Sequence, residues 1–160
     1  MAHRFEYPDR VQFSDTDMAG IVHFSNFFRY MERAEHAFFR SLGLGITDGE
    51  AGPEERVGWP RVHASCDYLQ PLFFEEEFVT ELLVEEVRGK VVRYVFRFWK
   101  KGGQLAAEGR ITAACVRKDP EKKQMKAVTI PDRIREKLQP APAELLARPQ
   151  GPSKDGTSIQ

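Results

Sequence analysis

The sequence predicts an α+β domain in which a curved antiparallel sheet wraps around one long central helix. Helical periodicity is confined to a single long stretch, where Phe27, Met31, Ala34, Phe38 and Leu42 recur on one face with Tyr30 beside them. From Val62 onward the period changes to two, and short glycine-containing turns separate three long stretches rich in β-formers. One apolar helix and one sheet can bury each other's apolar faces while the sheet's other face meets water or a partner. A two-layer α+β sandwich with a different strand order satisfies the same periodicity.

Phe5 to Phe13 reads as the first strand, with Val11 and Phe13 on one face and Gln12 and Ser14 on the other. Ser14 to Gly20 reads as a loop, because Asp, Ser, Thr and Gly compete with regular backbone pairing. The helix follows, capped by Ser25 or Asn26 and stopped by Gly43 and Gly45. Val62, Ala64, Cys66 and Tyr68 then alternate with His63, Ser65 and Asp67. Phe78 to Val87 is a second β-rich run, and Val92, Tyr94, Phe96 and Phe98 alternate with Arg93, Arg97 and Trp99 in a third. Arg88-Gly89-Lys90 and Gly102-Gly103 are the hairpin turns of a four- or five-stranded meander reaching Val116. A short strand from Gln124 to Ile130 and a helix from Pro131, where a first helical position accepts proline, close the unit. Beyond it, Pro140, Pro142, Pro149, Gly151, Pro152 and Gly156 surround a lone Leu145-Leu146 island. The expectation is a folded domain at 1–138 and a mobile tail at 139–160, since so little apolar surface cannot offset ordering entropy.

Composition narrows the function. The 160 residues hold 24 Lys plus Arg against 24 Asp plus Glu, which argues against a general nucleic-acid binder or a polybasic membrane-surface protein. No run approaches the roughly 20 apolar residues that span a bilayer, so no membrane insertion is expected. Met1 to Pro8 lacks the pattern of a secretory signal, and Cys66 and Cys115 read as two reduced, buried thiols, so a cytoplasmic location is expected. Twelve Phe in so small a chain call for a large or shared core, and zero net charge opposes self-association little.

The segment Phe13-Ser14-Asp15-Thr16-Asp17-Met18-Ala19-Gly20-Ile21-Val22-His23-Phe24 leads directly into the aromatic-rich helix. This Asp-x-Asp-x-x-Gly-Ile-Val pattern is similar to the signature of hotdog-fold acyl-CoA thioesterases of the 4-hydroxybenzoyl-CoA thioesterase type. Leu42-Gly43, Gly58-Trp59-Pro60 and the long meander extend the likeness over about residues 4–138. The resemblance implies a thioester hydrolase in which Asp17 acts at the start of the central helix. It places the thioester carbonyl against backbone N–H groups near His23 and Phe24, and the pantetheine arm between two subunits. A homodimer or homotetramer with active sites at the subunit interface follows, with an acyl-CoA substrate and no cofactor, coenzyme A being part of that substrate.

The chemistry stands on its own terms. Thioester hydrolysis passes through a tetrahedral oxyanion, and unsatisfied N–H groups at a helix start are donors of the right sign for it. Asp17, ionised at neutral pH, can attack the carbonyl or activate water. Asp15 reads as a loop former. Gly20 allows close backbone approach or a positive φ, and His23 reads as a pocket-lining residue. Trp59, held between Gly58 and Pro60, is a candidate wall for the acyl chamber and equally a core residue. A related hotdog branch places its catalytic carboxylate within this helix, and that resemblance makes Glu32 or Glu35 the fallback if Asp17 fails; Glu32 and His36 have i, i+4 spacing but lack further ligands, so no metal site is expected. Arg88 and Lys90 are the candidate cations for the coenzyme A phosphates, the family using basic residues on this hairpin, with Gly89 replacing a third basic residue found in relatives. Two other classes compete: a non-catalytic acyl-CoA-binding module, and an acyl-CoA hydratase or dehydratase, which needs a carboxylate and a His about five residues apart, where Asp17 and His23 are six apart.

Overall fold

The computed structural model describes residues 2–46, 51–52, 55–119 and 121–149. Its elements are β1 (Arg4–Arg10), α1 (Asn26–Ser41), β2 (Arg61–Tyr68), β3 (Glu77–Arg88), β4 (Val91–Lys100), β5 (Leu105–Ala114), β6 (Val116–Asp119), β7 (Gln124–Ala127), α2 (Asp132–Arg135) and α3 (Ala143–Leu146). The first five strands form one antiparallel sheet in the order β1-β3-β4-β5-β2, and β6 pairs with β7 as a separate ribbon. The long helix lies on the inner face of the sheet, which is the hotdog arrangement.

Period-two alternation explains which residues meet. Phe96 pairs with Leu82 on one side and Gly109 on the other, so these share the inner face; Val95 pairs with Leu83 and Arg110 on the outer one. Against the inner face α1 buries Phe27, Tyr30, Met31, Ala34 and Phe38, five residues of the predicted stripe and its neighbour. Gly109 lies directly under Met31: a Cβ there would stand 2.0 Å from the Met31 Cε. The missing side chain lets the helix settle onto the sheet.

Several expectations are corrected. β1 ends at Arg10, and Phe13 sits in a 3-10 turn, 77% exposed, because the Asp15 carboxylate accepts the Gln12 N–H and folds the chain back. Only β3, β4 and β5 form a meander. β2 crosses to the far side and pairs with β5, while β1 takes the place beside β3. The strand from Gln124 stops at Ala127, after which the Val128 and Ile130 N–H groups donate to Cys115 and Gly89 carbonyls instead of a partner strand. α2 is a single turn. Cys115 is buried, whereas Cys66 is only half-buried, and burial pushes the Cys66 thiol up to about 12.

The boundary at residue 138 is corrected as well. Residues 139–149 lie on the outer face of the sheet, with Ala141 buried and Leu145 and Leu146 against Leu83 and Val95. Two leucines suffice because a nearly buried arginine, Arg97, binds the backbone carbonyls of this segment. Residues 150–160 of the expected tail lie outside the described residues.

Candidate active site

The two aspartates of the loop have opposite situations. Asp15 Oδ2 accepts the Tyr30 hydroxyl at 2.8 Å and the Gln12 N–H at 2.9 Å. The Asp15 carbonyl accepts the His23 N–H and the Asn26 side-chain amide, both at 2.8 Å. Two of these four bonds, from Tyr30 and Asn26, tie the loop to the helix, and Asp15 holds the turn as the sequence indicated. Burial, with Asp15 as the next cause, holds the Tyr30 phenol far above its ordinary pKa, so it remains a donor. Asp17 begins a tight turn closed by the Thr16–Val22 bridge, its N–H donating to the Ile21 carbonyl. Asp17 Oδ1 accepts the Ala19 N–H at 2.8 Å, and Oδ2 has no partner among the described residues. Gly20 closes this turn at φ +79, a conformation that favours glycine.

The start of α1 sorts the donors. The His23 N–H is committed to the Asp15 carbonyl, so of the two expected oxyanion donors only Phe24 N–H is without a protein acceptor among the described residues. The His23 ring bonds Ser25 Oγ at 2.8 Å and stacks on Phe24, 4.3 Å between centroids. Ser25 therefore occupies the cap position without capping, and Asn26 reaches back to Asp15 rather than to a helix N–H. Around this turn the rings of Phe13 and Phe74 meet edge to face, Phe73 bridges Ile21, and Phe24 is 62% exposed. The loop with the open carboxylate is rimmed by exposed apolar side chains.

Trp59 lies elsewhere. With Glu32, Glu35, His36, Phe39, Ile46 and Arg61 it lines a cavity of about 140 Å³ alongside the middle of α1. Eleven residues at a 1.5 Å rise separate Phe24 from Glu35, about 16 Å along the helix, so one protomer does not bring Trp59 to Asp17. Glu35 is 3% exposed and accepts a hydrogen bond from Arg61 Nη2, while Arg61 Nη1 donates to the Trp59 carbonyl at 2.6 Å. Burial pushes the Glu35 carboxyl up to about 7, with Arg61 opposing. Burial also lowers the neighbouring His36.

A family model of the thioesterase-like superfamily matches residues 11–138, spanning both the loop and the sheet. The chain belongs to that superfamily. A protein of Aquifex aeolicus is 34% identical over 134 residues, 84% of this chain and 97% of that one. The acyl-CoA thioesterase YbgC of Haemophilus influenzae is 24% identical, covering 82% of this chain and 91% of its own. The crystal structure of an Asp-to-Asn mutant of 4-hydroxybenzoyl-CoA thioesterase complexed with 4-hydroxybenzoyl-CoA shares the fold, with a TM-score of 0.74 at 23% identity over 84% of this chain and 98% of that one.

In this thioesterase the basic turn is also remote from Asp17. The β3 strand runs from beside the Asp17 loop to Arg88, eleven steps at about 3.3 Å or roughly 35 Å away. Arg88 and Lys90 are exposed there, with Glu86 3.9 Å from Arg88. Both lie at the far end of β3 from the Asp17 loop of their own protomer. Among the described residues no group of three or more His, Cys, Asp or Glu gathers to hold a metal, and Glu32 and His36 stand 3.8 Å apart as a pair. No described helix is long and apolar enough to cross a membrane.

Sequence reasoning missed three parts of the site: the Tyr30 anchor of Asp15, the Tyr68 hydroxyl donating to the Phe24 carbonyl at 2.9 Å, and the Glu35–Arg61 pair. Tyr30 and Glu35 each carried a signal, a hydroxyl or carboxyl placed on the apolar side of the predicted helix. Arg61 and Tyr68 carried none, because their contacts span 26 and 44 residues.

Proposed function

We propose that this thioesterase hydrolyses an acyl-CoA to a carboxylic acid and coenzyme A, with Asp17 supplying the carboxylate and Phe24 N–H the oxyanion donor. The observation that carries the reading is a carboxylate oxygen and a backbone donor, both without protein partners among the described residues, on the one segment that Asp15 braces ahead of the helix. The donor opens at the positive end of a sixteen-residue helix, the sign a developing oxyanion needs. Either Asp17 attacks the carbonyl, expelling the thiolate to leave a mixed anhydride that water then hydrolyses to the acid, or it draws the proton from a water that attacks, and collapse of the tetrahedral adduct expels the thiolate and leaves the acid. A hydratase reading is disfavoured because the His23 ring is bonded to Ser25 rather than turned toward a carboxylate.

The site is completed by a second copy. β2 is an edge strand with its outer side unpaired and Val62 63% exposed. Tyr68 at one end touches the start of α1, and Arg61 at the other touches Glu35. A two-fold axis through the middle of β2 exchanges these ends. The Glu35–Arg61–Trp59 cavity of one protomer then faces Asp17 of the partner subunit and forms the acyl end of its site. Arg88 and Lys90 hold coenzyme A phosphates only for a neighbouring protomer. Relatives acting on acyl-CoA and 4-hydroxybenzoyl-CoA support this substrate class.

Replacing Asp17 with Asn removes the charge and keeps the shape. Hydrolysis of a panel of acyl-CoA thioesters, followed as free thiol, is expected to vanish while folding and coenzyme A binding persist. Undiminished turnover would refute the assignment. A single turnover in ¹⁸O water identifies direct attack: unlabelled acid means that its new oxygen came from the Asp17 carboxylate.

A further inference from the structure

Asp15 fixes the Asp17 turn on its helix side, and a different segment supports it on the sheet side. The Val22 N–H donates to the Leu72 carbonyl at 2.8 Å, and Ile21 bridges Phe73, so the turn rests on the end of the loop that leads into β3. Lys100, the last residue of β4, reaches that loop with a side chain only 16% exposed. Its Nζ donates to the Pro71 carbonyl at 2.8 Å, pairs with Glu76 Oε1 at 3.0 Å and lies 5.7 Å from the centre of the Phe73 ring. Glu76 Oε2 in turn accepts the Phe73 N–H at 2.9 Å. One ammonium thus gathers both ends of residues 71–76.

The loop needs such a hold. Glu75 sits at φ +64, a left-handed conformation that a residue with a Cβ disfavours and keeps only where its surroundings over-determine it. The Glu75 N–H donates to the Val11 carbonyl and the Val11 N–H to the Glu76 carbonyl, both at 3.0 Å, which ties the loop to the chain just after β1. Fixing and covering a lysine costs it rotamer freedom and hydration. All three partners that Lys100 gains in return belong to the loop under the Asp17 turn.

We propose that Lys100 is a positioning residue for the Asp17 carboxylate: through Pro71 and Glu76 it sets residues 71–76, and these fix the Asp17 turn against the sheet. The proposal rests on the Asp17 reading put forward above and deepens it.

Lys100→Met, Glu76→Gln and Asp17→Asn are compared as full chains, with the fastest of benzoyl-, butyryl- and palmitoyl-CoA as probe and free thiol as readout. Lys100→Met keeps the apolar stem and removes the charge and the donors. A reacting group misplaced by about 1 Å loses on the order of 100-fold in rate. In Lys100→Met kcat is expected to fall at least tenfold with KM within twofold, and the Val22 amide to exchange with deuterium at least tenfold faster while the β5 amides keep their rates. Faster Val22 exchange with parental kcat overturns the proposal, and so does unchanged Val22 exchange whatever kcat does. A loss carried by KM alone overturns it too. Equal loss of protection at Val22 and across β5 means that Lys100→Met has unfolded; Glu76→Gln then decides on the same readouts, at threefold thresholds. Undiminished turnover in Asp17→Asn refutes the Asp17 reading itself, whereas turnover lost there and parental in Lys100→Met overturns the role of Lys100 alone.

Discussion

Gly109→Ala tests the seat of α1 on the sheet. The new Cβ would stand 2.0 Å from Met31 Cε, 2.6 Å from Sδ and 3.3 Å from the Ser65 carbonyl oxygen, where carbon atoms in contact keep about 3.5–4.0 Å. Met31 must therefore move its thioether by about 1.5 Å. It is completely buried between Phe27, Ala34 and the sheet, so its flexible end turns aside only by displacing packed neighbours. Forcing a methyl into a packed core costs about 1–3 kcal/mol, and the lower unfolded-chain entropy of Ala returns about 0.5 kcal/mol. A net loss of about 2 kcal/mol corresponds to a fall of about 1 M in the urea midpoint, read at one fixed protein concentration. Met31→Ala deletes both obstructing atoms but opens a cavity worth about 2–5 kcal/mol. The double variant should be more stable than the sum of the single losses by at least about 1 kcal/mol. A Gly109→Ala midpoint within error of the parent, or strict additivity with Met31→Ala, would refute the close seating.

Tyr30→Phe removes the hydroxyl that Asp15 accepts; a loss of about 1.5–3 kcal/mol in denaturant unfolding is expected, with kcat falling more than KM changes because the Asp17 turn loosens. Glu35 gives a pH signature. Its carboxyl titrates near 7 when folded against an ordinary 4.5, so between those values the folded chain holds the extra proton and stability falls as pH rises, by up to about 3 kcal/mol. Arg61, Glu32 and the buried Tyr94 hydroxyl face this group, with His36 alongside, and Glu35→Gln should flatten the urea-midpoint profile from pH 4.5 to 7 while these remain. Mixing inactive Asp17→Asn with inactive Arg61→Met subunits should restore about a quarter of parental activity, since half of randomly paired dimers carry one intact site. No recovery on confirmed subunit exchange would place both residues in one protomer's site.

What the sequence made legible was local. The helix showed because its buried face repeats within one element, and the Asp17 turn because glycine and aspartate chemistry acts over a few residues. The crossing of β2 to the far edge did not show, since periodicity reports a face and not a neighbour. Arg97 reads by alternation as an outward, solvated position on β4. Its burial depends on carbonyls 48 to 50 residues away, and no local signal carries that distance. The same blindness made residues 139–149 look like a tail: two leucines and three prolines are a poor core alone, yet enough against a face already built by other strands.

The division between the two aspartates explains why the motif needs both. A carboxylate that performs chemistry must keep an oxygen free, and a free carboxylate cannot also brace a loop. Asp15 takes the bracing with Tyr30, Gln12, His23 and Asn26 as partners, so Asp17 needs only one backbone bond of its own. His23 belongs to this bracing too, its N–H withdrawn from the oxyanion by the same Asp15 carbonyl that fixes the helix start. In the proposed mechanism the working groups are one carboxylate oxygen and one N–H, set at the edge of a protomer. A site so sparse is useful only when walled off from water, and the exposed ring of Phe13, Phe24, Phe73 and Phe74 around it is surface that a neighbouring subunit and a bound acyl chain would cover.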